Sequence, residues 1–263
     1  MREHKGRNLF VYLIGPVLLY WGVSFLVQMA FGMYWTASTS DPARLYMKLQ
    51  AYATEMTTAA AVIVIPVMFY LFVKDLKKEP GVEKIFPPEV YGVLVLAGAG
   101  LCISLNVLLM LTHLTGAGSG YQTVSREIYD SSFLVQTVGL GVLVPVAEEL
   151  TYRGMLYRRL REYMGVPWAV AFSAAVFGIL HGNLVQFVYA GLIGAVLAWV
   201  YERTGTIKAP VLLHIVVNMT SIIATGLHAF NWMLENVFRA AGITALAAVL
   251  AVFSLRVIKN KTY

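Results

Sequence analysis

Charge is what this sequence has least of: Asp, Glu, Lys and Arg make up 13% of its 263 residues, against 59% apolar residues. A soluble domain of this size carries about a quarter charged residues, so a water-solvated globule is excluded. There is one cysteine, Cys102, set in an apolar run. An intrachain disulfide and a thiolate metal cluster are therefore ruled out. With no His or Asp near it in sequence, Cys102 reads as a small buried hydrophobe rather than a nucleophile. Internal repeats, low-complexity tracts and the HExxH pairing of a zinc peptidase are absent as well.

Long apolar runs are what remains. A hydrocarbon core of about 30 Å needs roughly 20 helical residues per crossing. Apolar stretches near 9-32, 50-73, 91-114, 132-157, 167-182, 184-201, 209-226 and 237-257 predict an all-α polytopic bundle of about eight transmembrane helices. The first run follows a basic start, but it is too long for a cleavable signal peptide and no small-residue cleavage site precedes the polar loop at 36-48. Pro80-Gly81, Pro87-Pro88 and the stretch from Gly116 to Gly120 punctuate helix ends.

The net charge of +6 is explained by topology. With the N-terminus cytoplasmic, 16 of the 20 Lys and Arg residues fall on the cytoplasmic side, among them Arg2, Lys5, Arg7, Lys74, Lys77, Lys78, Lys84, Arg158, Arg159, Arg161, Lys259 and Lys261. Arg44, Lys48, Arg126 and Arg239 fall opposite. This satisfies the positive-inside rule, with both termini cytoplasmic, and leaves no reason to invoke a nucleic-acid partner. Arg158, Arg159 and Arg161 read as a positive-inside anchor, and His113 and His228 as groups near the outer ends.

Ionisable groups inside a transmembrane helix are costly, and each is a functional hypothesis by default. The fourth segment carries Glu148, Glu149 and Arg153. Glu149 and Arg153 are spaced i, i+4 with Glu first, the better order for an ion pair, which leaves Glu148 about 100 degrees around the helix and available to another element. The fifth segment supplies Phe177 and His181, the seventh His214 and Asn218, again i, i+4. Three helices can thus present Glu148, His181, His214 and Asn218 to a shared interior. Counted along the helices, Glu148, His214 and Asn218 share a depth in the cytoplasmic half, whereas His181 comes out deeper, at about 21 Å from Pro167.

A carboxylate and a neutral imidazole meeting at one water can remove its proton for attack on a carbonyl carbon. A second His and an Asn amide can donate hydrogen bonds to the oxyanion that develops. The same groups allow a second chemistry, a zinc or other divalent metal held by Glu148, His181 and His214 with one position open. A proton-coupled transporter would also use buried Glu and His, although no inverted repeat or paired broken helices support it. A non-catalytic membrane scaffold would need none of these groups to react.

The spacing Glu148-Glu149-x-x-x-Arg153, Phe177-x-x-x-His181 and His214-x-x-x-Asn218, with the local stretches Glu149 to Gly154 and Tyr201 to Gly205, resembles the three motifs of the CPBP family of intramembrane peptidases. That family includes Rce1-type CAAX prenyl endopeptidases and bacterial Abi proteins. The resemblance covers about 132-226 as a catalytic core, flanked by three N-terminal helices in 1-131 and a last helix and tail in 227-263. It implies an endopeptidase in which Glu148 and His181 activate water, His214 and Asn218 support the oxyanion, Glu149 and Arg153 hold the site together, and Phe177 packs beside His181. It implies no required cofactor, a peptide or protein substrate, and a multi-pass location in a bacterial plasma membrane. Tyr152 stands where the family text usually has Phe.

Overall fold

The computed structural model describes residues 8–39, 41–77, 88–112 and 131–262. Arg2, Lys5, Arg7, Lys78, Lys84, Arg126, His113, Pro80-Gly81, Pro87 and the Gly116 to Gly120 stretch lie outside the described residues. Those residues that are described form helices joined by turns, with no strand among them.

The helices in chain order are α1 (Leu9–Thr36), α2 (Pro42–Ala51), α3 (Ala53–Leu76) and α4 (Pro88–Leu111). Next comes α5, a continuous run of four segments: Val135–Leu143, Val144–Glu149, Leu150–Tyr157 and Arg158–Tyr163. Then follow α6 (Val166–Ile179), α7 (Leu184–Thr204), α8 (Lys208–Gly226), α9 (Ala229–Leu234) and α10 (Val237–Lys261). Side-chain caps set several of these boundaries, because the first backbone N–H groups of a helix have no partner inside it. Asn8 accepts from Phe10 N, Asp41 from Ala43 N with Pro42 opening α2, Asn183 from Gln186 N, and Asn236 from Phe238 N and Arg239 N. Gly205, at φ 65°, closes α7 with its N–H on Tyr201 O, a left-handed cap that glycine adopts without a steric penalty.

Among the described residues six helices, α1, α3, α4, α7, α8 and α10, are long and apolar enough to cross a membrane. Two of the about eight expected crossings are not among these six. The fourth expected crossing is α5, whose first and third segments are π-helical; it runs a turn and a half further than the apolar pattern indicated and carries the arginine cluster at its end. The fifth is α6, with 14 residues, about 21 Å long and short of the hydrocarbon thickness. Part of the loop expected at 36-48 is the helix α2, which buries none of its side chains.

The outside of the bundle is apolar. Phe10, Phe25, Leu26, Phe69, Tyr70, Leu96, Leu246 and Phe253 are all exposed, a distribution suited to lipid contact. Inside, helices approach closely where residues are small, as expected when packing rather than water exclusion drives association. A Cβ on Gly100 of α4 would stand 2.6 Å from Ala247 O of α10, and one on Gly178 of α6 would stand 2.8 Å from Phe187 O of α7.

The arginines at the end of α5 are also ties between helices. Arg158 and Arg159 are both buried. Arg159 holds Asp75 of α3 through two nitrogens at 2.7 and 3.0 Å, donates to the Tyr12 carbonyl of α1, and lies over the Tyr12 ring. Tyr12 in turn donates to Glu162. Arg161 pairs with Glu202 of α7, which also accepts from Tyr157. A guanidinium with five donors can bind several elements at once, and here it joins α1, α3 and α5.

The close α4–α10 crossing gives a direct test. Gly100→Ala places a methyl against a backbone oxygen that cannot rotate away, so the helices must separate; the variant should lose about 1–3 kcal/mol of stability, read as a lowered midpoint in thermal unfolding of the detergent-solubilised protein. An unchanged midpoint would show that the two helices are free to move apart.

Candidate active site

The site is organised by the middle of α5. Glu149 and Arg153 are fully buried, and the predicted ion pair is formed, with Arg153 Nη1 2.9 Å from Glu149 Oε1. Arg153 Nη2 donates to the carbonyl of Gly194 on α7 at 3.0 Å, and its guanidinium lies 4.4 Å from the Phe177 ring centroid. The guanidinium can come this close because residue 194 is glycine: a Cβ there would be 3.0 Å from both Arg153 Nη2 and the Phe177 ring. The charge is thus met by a carboxylate, a carbonyl and an aromatic face, the combination that makes a buried guanidinium tolerable.

The same carboxylate oxygen serves α8. His214 Nδ1 is 2.8 Å from Glu149 Oε1, and since a carboxylate paired with Arg153 is an acceptor, Nδ1 is the donor. The other ring nitrogen, Nε2, faces Glu148 Oε2 at 3.7 Å. One imidazole therefore spans two adjacent glutamates. Helix geometry leaves Glu148 for a group from another element, and His214 is such a group; that His214 also binds Glu149 is a tertiary fact without a trace in the spacing. Glu148 keeps 13% of its side-chain surface accessible, and among the described residues its carboxylate accepts no direct hydrogen bond.

His181 stands in the turn after α6 rather than on the helix. Its own N–H bonds to Gly178 O, and Gly182 beyond it takes φ 84°. His181 Nδ1 lies 2.7 Å from Phe177 O. A carbonyl can only accept, so the neutral ring carries its proton on Nδ1 and presents Nε2 as a base. Both imidazoles pack edge-on to the Phe177 ring, His181 at 4.6 Å and His214 at 5.9 Å between centroids. The greater depth counted for His181 along a full helix disappears, because α6 stops and the chain turns beside the ring that His214 also touches.

Asn218, one turn beyond His214, donates through Nδ2 to Leu140 O at 2.9 Å, in the first π-helical segment of α5. In that segment Val144 N reaches back to Gly139 O, a wider turn of a kind that recurs at functional sites. Thus Glu148, Glu149, Arg153, Phe177, His181 and His214 form one connected cluster, while Asn218 is held beside it on the α5 backbone.

Residues that sequence reasoning missed come chiefly from α1. Trp21 Nε1 donates to the Tyr152 hydroxyl at 3.1 Å, and the Tyr20 ring meets Tyr152 edge-on at 6.3 Å. Tyr152 in turn packs on Phe177 at 5.0 Å. The one available signal was the tyrosine standing where phenylalanine is usual, whose hydroxyl needs a partner when buried. Ser173 contributes a longer contact to Tyr152 O at 3.4 Å. Among the described residues no three or more His, Cys, Asp and Glu side chains are grouped as a metal site.

Residues 130–220 match the family described as type II CAAX prenyl endopeptidase Rce1-like. A protein of Bacillus subtilis (strain 168) bearing the name "Putative membrane peptidase YdiL" is 28% identical over 95 residues, which are 34% of this chain and 39% of that protein. The match thus spans about two-fifths of the curated relative's length. No solved structure matches the chain. The matched segment contains all three motifs and every residue of the connected cluster around Phe177, and over that segment the chain is similar to the Rce1-like family of CAAX prenyl endopeptidases.

Proposed function

We propose that the chain is an intramembrane endopeptidase that hydrolyses peptide bonds without a covalent intermediate. The observation that supports this most is the unequal use of two adjacent glutamates. Glu149 is fully buried and gives one oxygen to both Arg153 and His214, whereas Glu148 retains accessible surface and accepts no direct hydrogen bond among the described residues. Glu149 is therefore the tie, and Glu148 the carboxylate free to take and return a proton.

In this reading a water bound between Glu148 and His181 Nε2 gives one proton to the carboxylate as its oxygen bonds to the carbonyl carbon. The oxyanion is met by His214, whose Nε2 donates when the ring is protonated, and by the second N–H of the Asn218 amide. The proton on Glu148 then passes to the amide nitrogen as the C–N bond breaks, which restores the carboxylate. Phe177 holds the two imidazoles and the guanidinium at fixed spacing. No cofactor enters these steps. The substrate is a peptide or protein segment reached from the cytoplasmic half of a bacterial plasma membrane, with both termini of the chain on the cytoplasmic side. Leaving out Arg153, which is buried in the bundle, 15 of the other 19 basic residues fall on that side along the sequence and support the orientation.

Two experiments follow. Glu148→Gln should lower kcat/KM on a fluorogenic peptide library by about 10²–10⁴-fold while thermal stability stays that of the wild type, and wild-type cleavage should survive a strong chelator. Cleavage retained by the variant would remove Glu148 from the mechanism; activity lost to chelation and restored by zinc would move the same side chains into a metal site. For orientation, Lys77→Cys and Lys259→Cys, both at exposed positions, should react with an impermeant maleimide only from the cytoplasmic side, and exposed Arg44→Cys only from the other, over a silent background because Cys102 is buried. The reverse pattern would contradict the orientation.

A further inference from the structure

Leu140 lies in the first π-helical segment of α5, at a point where the helix withholds both of the backbone donors its carbonyl would ordinarily have. In an α-helix that carbonyl takes the N–H of residue 144, but Val144 N is bound to Gly139 O. In a π-turn the partner is the N–H of residue 145, and residue 145 is proline, which has none. The proline also accounts for the wider turn, because in a regular helix its ring would clash with the carbonyl four positions back, that of Gly141. Pro145 is buried in the bundle. At membrane depth a freed carbonyl of this kind needs a partner from the protein itself.

Asn218 of α8 is that partner. Its Nδ2 lies 2.9 Å from Leu140 O. Two glycines flank Leu140 and let the neighbouring helices close on this turn. A Cβ on Gly139 would overlap Thr58 of α3, and one on Gly141 would overlap the Met219 sulfur of α8. Met219 follows Asn218 in the chain, so the close approach at Gly141 seats α8 where the amide can reach the carbonyl. A primary amide carries two N–H bonds in one plane. With one bound to Leu140 O, the direction of the other is fixed. Pro145 stands three residues before Glu148, so one short stretch of α5 sets both the carboxylate and the amide.

We propose that Pro145 is a positioning residue for Asn218: by denying Leu140 O a backbone donor, it reserves that carbonyl for the Asn218 amide and so aims the second amide N–H at the developing oxyanion. This rests on the peptidase reading above. Any other residue at 145 returns an N–H to α5 and makes the better helix, and the returned N–H competes with Asn218 for the carbonyl.

The test takes wild type, Pro145→Ala, Asn218→Ala, the double variant and Glu148→Gln through thermal unfolding in detergent. Each is also assayed on one fluorogenic peptide chosen from a library by wild-type cleavage. Pro145→Ala should unfold at or above the wild-type midpoint, yet its kcat should fall about tenfold with KM unchanged. Asn218→Ala should lose about 10²–10³-fold in kcat, and adding Pro145→Ala should lower it no further. Asn218→Ala should lower the midpoint by about 2–4 °C in the wild-type background, where it strands a carbonyl. Beside Pro145→Ala the same change should cost much less, because the new backbone N–H takes the carbonyl. Wild-type kcat in Pro145→Ala beside an impaired Asn218→Ala, or an equal loss of midpoint from Asn218→Ala in both backgrounds, would overturn the role of Pro145 and leave the peptidase reading standing. Wild-type kcat in Glu148→Gln would overturn that reading, and the unfolding cycle would still decide whether Pro145 reserves Leu140 O for Asn218.

Discussion

A guanidinium in the middle of a membrane bundle has to be neutralised where it stands, and the rest of the site is built around how this chain does so. Arg153 has no exposed surface. Its partner Glu149 must come from the same helix face, Gly194 must lack a side chain, and Phe177 must offer its ring. Once Glu149 is fixed by Arg153, it fixes His214, and His214 then has a defined nitrogen directed at Glu148. The chain of constraints runs from the least soluble charge to the group proposed to do chemistry. A buried pair of this kind is weak evidence for stability in itself; its value lies in specifying one arrangement of three helices.

The backbone shows the same priority. Two π-helical segments flank the short α-helical stretch that carries Glu148 and Glu149, and Leu140 O in the first of them receives Asn218. α6 stops after 14 residues so that His181 can stand in a turn, with its Nδ1 committed to a backbone carbonyl. Irregular backbone at membrane depth is tolerated where it is buried in protein, and here the irregularities gather around Phe177. The regular helices α4, α8 and α10, packed through Gly98 and Gly100, form the wall against which they rest.

Much of this was legible in the sequence. The apolar runs indicated the bundle, and the i, i+4 spacings gave the Glu149–Arg153 pair and the placement of His214 and Asn218 one turn apart on α8, because these depend on local helix geometry. Legibility failed where tertiary contact decides. Periodicity cannot show a π-helical turn, so α5 reads as one ordinary crossing. It cannot show that α6 ends at Ile179, because Leu180, the one residue between Ile179 and His181, is as apolar as those before it. Arg158 and Arg159 look like surface anchors in any charge count, since their partners Asp75 and the Tyr12 carbonyl are more than 80 residues away. Tyr20 and Trp21 belong to a helix that no motif marks.

The claim that Glu149 acts by holding Arg153 and His214, and not by reacting, is tested most directly by a double-mutant cycle. Unfolding of detergent-solubilised protein would be measured for Glu149→Gln, Arg153→Met and the two combined, with peptide cleavage in parallel. The account predicts that Glu149→Gln, which strands a buried guanidinium, loses about 3–5 kcal/mol. The double variant should recover most of that stability yet stay inactive, because the Nδ1–H of His214 no longer has its carboxylate. A double variant no more stable than Glu149→Gln, or one that cleaves like the wild type, would contradict it.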